Sequence, residues 1–198
     1  MIEPDERLLG ELAALRGVPV AELGTRVVRA DPGARYAAEL TLDLDALEPM
    51  IATPGDPKNA VPLSAFEERV HVDIAYGGSC TGGKRRDMDL YARALAGRKV
   101  APGVTLYIQF GSQLIRRYAE ERGYVDVFRA AGATLLDPAC GACIRAGPGA
   151  STHPEQVTVS AVNRNFPGRS GPGRVYLASP LTVAASAVAG YITAFANE

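Results

Sequence analysis

From residue 104 to 110 the chain reads Val-Thr-Leu-Tyr-Ile-Gln-Phe. A strand this apolar has no wet side. It belongs inside a sheet covered on both faces, as parallel sheets wrapped by helices are. Its surroundings repeat the theme. Strands are predicted over 70–76, 133–136 and 156–161, the first running into Gly77-Gly78. Helices are predicted over 84–96, and over 112–121 and 124–131 as a pair around Gly123. A last helix starts at Ser179 as N-cap, with Pro180 in its first position, and runs to about Ala189 before Gly190. Strands alternating with helices imply an α/β fold: three layers, αβα, around a mainly parallel sheet. Ligands in such folds gather at the carboxyl ends of the strands.

The first third reads differently. Residues 4–16 carry Leu8, Leu9, Leu12 and Leu15 as a helical stripe that Gly17 terminates. Residues 26–29 read as a short strand. Leu40, Leu42 and Leu44 alternate with polar residues, so 37–44 reads as a strand with one wet face. Pro49, Pro54, Pro57 and Pro62 make 48–62 a long surface loop. The expected organisation is an N-terminal appendage over 1–35 and an αβα domain over 36–198.

Bulk properties exclude several classes. With 47% apolar and 22% charged residues and a net charge of -1, no surface is marked out for nucleic acid or membrane. The acidic start, Met1-Ile2-Glu3-Pro4-Asp5-Glu6, lacks the basic and apolar regions of a signal peptide, and no apolar run is long enough to span a bilayer. A cytoplasmic protein is expected.

The chemistry concentrates in three cysteines, the only ones in the chain. Cys80 lies in Gly77-Gly78-Ser79-Cys80-Thr81-Gly82-Gly83; the others form Cys140-Gly141-Ala142-Cys143. Each follows a predicted strand end, so the fold can carry all three to one rim. A free cysteine is often only a small buried hydrophobe. Three in strand-end turns, two of them as C-x-x-C, read better as a shared soft-metal site for zinc or an iron–sulfur cluster, with a coordination position left open. His71 sits at the wrong end of its strand to complete such a site; His153, in a loop after Cys143, remains a possible zinc ligand. Gly78-x-x-x-x-Gly83-Lys84 imitates a phosphate-binding loop, but Arg85 stands where Ser or Thr must hold magnesium. The stretch Asn163-Arg164-Asn165-Phe166-Pro167-Gly168-Arg169 follows another predicted strand, and arginines there suit bidentate contact with carboxylates.

These motifs, together with Gly111-Ser112, Ala131-Gly132-Ala133 and Tyr176-Leu177-Ala178-Ser179-Pro180, resemble the aconitase superfamily in identity and in order. The resemblance extends upstream through Leu47-Glu48-Pro49 to Asn59. It implies that Cys80, Cys140 and Cys143 hold a [4Fe-4S] cluster whose fourth iron binds substrate as a Lewis acid. It implies that Asn163, Arg164 and Arg169 face the substrate, a hydroxy polycarboxylic acid of the citrate or isopropylmalate type that is dehydrated and rehydrated. It also implies that the chain corresponds to the end of the second family domain plus the third, cluster-bearing domain. The family's acid–base residues lie outside those parts, so no catalytic group of that kind is expected here, and a partner or further domains would supply them. The alternative is a non-catalytic iron–sulfur-binding remnant or interaction module. One departure stands out: Gly82 occupies the position where the family carries Asn.

Overall fold

A computed structural model describes residues 3–196. They fall into two compact units divided between Asp45 and Ala46. Residues 36–45, expected with the sheet, therefore cluster with the first unit.

The first unit contains α1 (Glu6–Arg16) and α2 (Val20–Gly24). Asp5 caps α1 by accepting from the Leu8 amide at 2.7 Å, and Gly17 ends it at φ 66. Ala13 is the buried residue of α1, and the predicted leucine stripe is only partly covered. The strands predicted over 26–29 and 37–44 do not form. Leu40, Leu42 and Leu44 are 94%, 67% and 71% exposed. Their alternation is real, but among the described residues no strand takes up their backbone groups, and an unpaired strand is not stable alone.

The second unit is the expected α/β fold, a mainly parallel sheet with helices. Its strands are β1 (Met50–Ala52), β2 (Ala60–Pro62), β3 (Ile74–Gly78), β4 (Thr105–Gln109), β5 (Thr134–Leu136), β6 (Val157–Ser160) and β7 (Arg174–Ala178). They lie in the order β2-β1-β7-β6-β3-β4-β5. The five from β7 to β5 are parallel, and β1 and β2 add an antiparallel edge. Three strands escaped the sequence reading. The 48–62 stretch, expected as loop, forms the β1–β2 hairpin because its prolines avoid the paired centre: Pro54 and Pro57 lie in the turn, and Pro62 ends the edge strand. β7 follows a Gly/Pro-rich loop and is only five residues long.

Helices α3 (Ser79–Gly82), α4 (Arg85–Leu95), α5 (Gln113–Glu121), α6 (Tyr124–Ala131) and α7 (Pro180–Ala189) complete the unit. The predicted α7 start holds, with Ser179 accepting from the Thr182 amide at 3.2 Å and Pro180 following. The period-2 alternation of the strands splits the buried residues into two groups. Ala75, Leu106, Ile108 and Tyr176 join Met88, Tyr91, Phe128 and Val183 of the helices in the main core. Their sequence neighbours Tyr76, Tyr107 and Leu177 point the other way and meet Ala142, Cys143 and Ala150. On that second face the cover comes from the 137–156 segment, which holds a single short 3-10 turn, Gly141–Ile144.

Candidate metal centre

Strand β3 is the pivot of the sheet. The chain leaves its carboxyl end toward β4 and β5 on one side, while β6, its other neighbour, leads away to β7. A crevice opens where connections diverge in this way. Cys80 follows β3, Asn163 follows β6 and Cys140 follows β5, so all three sequence-predicted motifs stand at the same rim.

The Cys80 turn is strained and tightly packed. Gly78 has φ 120, and a side chain there would overlap the Gln109 carbonyl. Ser79 follows at φ 63, unusual for a residue with a side chain, at a typical cost of about 1–3 kcal/mol. Its hydroxyl is buried with no hydrogen-bond partner among the described residues. The glycines of the imitation phosphate loop thus serve close backbone packing. Gly82 has the same role: a Cβ there would lie 2.6 Å from the Ala161 Cβ at the end of β6. The Tyr91 hydroxyl donates to the Gly82 carbonyl at 3.1 Å, and burial holds that phenol well above its usual pKa. This stapling leaves Cys80 exposed beside Thr81, with Sγ 3.8 Å from its hydroxyl.

Cys140 is exposed and Cys143 buried. Between them the 3-10 turn closes as the Cys143 amide donates to the Cys140 carbonyl at 3.1 Å. Cys143 packs with Tyr76, Ala142 and Val162, next to Asn163 in sequence. Burial raises the Tyr76 phenol to about 12; the Ala142 amide opposes the shift, and the nearby Cys143 adds to it.

In the arginine loop Arg169 is half-buried and donates through Nη2 to Asn163 Oδ1 at 3.2 Å, while its Nε is buried with no partner among the described residues. Arg164 and Asn163 are exposed. Asn165, not singled out as a site residue, anchors the loop: its amide donates to the carbonyls of Thr53 at 2.7 Å and Val175 at 3.1 Å. His71 pairs instead with Asp73 at 3.6 Å near the opposite end of β3, and His153 is exposed in its loop.

The three thiols share a rim, yet among the described residues no three Cys, His, Asp or Glu side chains gather closely enough to hold a metal ion. By donor chemistry the set fits a soft-metal or iron–sulfur group: three sulfurs on two turns, two of them exposed at the surface. Sequence reasoning missed Tyr76 and Gln109, which lie beneath the Cys140 turn. The available signal was Gln109 itself, a polar residue in a strand otherwise built to be buried.

Comparison with known proteins identifies similar sequences. The chain is 40% identical to the 3-isopropylmalate dehydratase large subunit 1 of Methanopyrus kandleri over 195 residues, 98% of this chain and 45% of that protein. It is 44% identical to the 3-isopropylmalate dehydratase large subunit of Mycolicibacterium smegmatis, over 83% of this chain and 39% of the relative. It is 41% identical to the mitochondrial homoaconitase of Mycosarcoma maydis, over 86% of this chain and 24% of the relative. The chain thus spans less than half the length of these curated relatives. Residues 20–190 match the model of the aconitase family (aconitate hydratase), which takes in the sheet, the cysteine turns and the arginine loop alike, and the chain belongs to that family.

Proposed function

We propose that this chain is the cluster-bearing part of an aconitase-type hydro-lyase acting on a hydroxy polycarboxylic acid of the citrate/isocitrate or isopropylmalate type. Cys80, Cys140 and Cys143 would hold a [4Fe-4S] cluster. When bound, such a group supplies a Lewis acid for a substrate hydroxyl. The chain's own contribution is recognition. Arg169, already oriented by Asn163 through Nη2, is half-buried and offers the accessible part of its guanidinium to a substrate carboxylate. Arg164 stands exposed on the same loop and offers a second guanidinium. Proton transfer would fall to groups supplied by a partner protein or by further domains, in keeping with the coverage of the relatives.

The observation that carries this reading is the convergence of three cysteine-bearing or arginine-bearing turns on the carboxyl rim around β3 and β6. The test is anaerobic reconstitution with iron and sulfide, followed by iron and sulfide analysis per chain. The expected result is a cluster in the parent protein that is lost in Cys80→Ala, Cys140→Ala and Cys143→Ala. Iron content unchanged in all three variants would refute it. A second reading, a non-catalytic iron–sulfur module, draws on the same partial coverage. Hydration activity that appears only on mixing with a protein resembling the uncovered portion of the relatives supports the first reading. Cluster binding without activity in every such mixture supports the second.

A further inference from the structure

Beneath the Cys140-Gly141-Ala142-Cys143 turn lies a buried polar relay that the cluster reading does not call for. Tyr76, in the middle of β3, is 1% exposed, and Gln109, the last residue of β4, is 2% exposed. The Tyr76 hydroxyl donates to Gln109 Oε1 at 2.7 Å. Gln109 Nε2 then donates to the Asp137 carbonyl at 3.1 Å, three residues before Cys140. The relay also reaches the turn itself. A Cβ on Gly141 would lie 2.9 Å from the Tyr76 hydroxyl and 3.1 Å from Gln109 Nε2, so the backbone between the two cysteines rests on these two atoms. Gly141 has φ 51, which suits a glycine in both conformation and size. On the outer side, Arg116 of α5 forms an ion pair with the Asp137 carboxylate. A glutamine amide at the end of a buried strand is costly unless its donor and its acceptor are both used. Here both are used: one bond ties Gln109 to Tyr76 of the neighbouring strand, and the other ties it to the segment leading into Cys140.

We propose that Tyr76 and Gln109 are positioning residues for the cysteine pair: they fix where Cys140 and Cys143 stand relative to the ends of β3 and β4, leaving the Cys80 turn to its own staple. The Cys80 turn is held by Tyr91 and by the packing of Gly82 on Ala161, and it meets Gln109 through that residue's backbone, so the side-chain bonds removed in the variants below belong to the Cys140 side. The proposal rests on the reading of these cysteines as ligands, but its test does not require iron, so the two can fail separately.

The test is pulsed alkylation of the reduced full-length chain in the presence of chelator, with each cysteine quantified by mass spectrometry. Tyr76→Phe keeps the ring and removes the hydroxyl; Gln109→Met keeps the volume and removes both bonds. Each variant is expected to raise the Cys143 labelling rate about fivefold or more, as the loss of one or two buried hydrogen bonds allows, while Cys80 changes less than about twofold. Thermal melts report whether each variant is folded, and either folded variant suffices for the test. Cys143 labelling within about twofold of the parent overturns the proposal. So does an equal rise at Cys80, which reports general loosening, and so does unfolding of both variants, which assigns the pair to support of the whole domain.

Discussion

Gly82 illustrates how one atom separates a tolerated residue from an excluded one. The resemblance implies an asparagine at the matching family position, yet here even a Cβ would lie 2.6 Å from that of Ala161 and 2.8 Å from its carbonyl. Gly82 and Ala161 therefore form a matched pair, and the glycine is built into the packing of α3 against the residue that follows β6. Gly82→Ala is expected to cost about 1–3 kcal/mol, the usual penalty of overpacking, read as a lowered midpoint in denaturant. A midpoint unchanged from the parent would show that Ala161 can yield. Ser79 beside it is a site of stored strain: a buried hydroxyl without a partner among the described residues, on a backbone with φ 63. The residues bearing sulfur or charge were visible in the sequence, since few residue types can perform soft-metal or carboxylate chemistry. Tyr76 and Gln109 were not, because their role depends on a partner 33 residues away that only strand pairing brings close.

Among the elements, the helices were the most legible. Each of α4 to α6 carries an apolar stripe with a glycine at or just beyond its end, and α7, buried nearly all round, is marked by Ser179, Pro180 and Gly190, so local rules suffice. The short strands were harder: β1 and β7 matter because they pair with each other, a contact between segments far apart in the chain. The same distinction applies to what joins the helices. Asp89 on α4 accepts from the hydroxyls of Tyr118 on α5 at 2.7 Å and Tyr124 on α6 at 3.0 Å. Replacing it, as Asp89→Ala, leaves two part-buried phenols without their acceptor and is expected to destabilise the domain by about 1–3 kcal/mol. The pH dependence follows from the same carboxylate. Tyr118 is raised first by its hydrogen bond to Asp89, and Tyr124 first by burial and then by that hydrogen bond. A phenol raised in the folded state contributes stability that is complete below its ordinary pKa near 10 and is lost as pH rises beyond it. Denaturation curves between pH 8 and 11 should show that alkaline loss in the parent and a shallower one in Asp89→Ala. Equal slopes would remove Asp89 as the cause.

Over the whole molecule, burial is divided unevenly. The second unit encloses nearly all the buried side chains, whereas the first exposes Leu15, Val28, Tyr36, Leu40, Leu42 and Leu44 and buries Ala13. Residues 26–45 lack helix and strand and contain Arg26, Arg29 and Arg35. Brief trypsin treatment should therefore cut at these arginines first and leave a fragment starting near Arg35 that resists further digestion, as mass spectrometry would show. Early cleavage at Arg93 or Arg129, inside α4 and α6, would contradict this. The apolar strand at 104–110, the cysteine spacing and the arginine loop by themselves determined the α/β class and the family, because periodicity and reactive side chains are local properties of a chain. The tertiary structure alone decided the rest: that the 37–44 alternation finds no strand to pair with among the described residues, that prolines at turns and edges permit a hairpin, and that a tyrosine and a glutamine from adjacent strands support the Cys140 turn. Each of these depends on which distant backbone groups come within hydrogen-bonding reach, and that is settled only when the sheet has assembled.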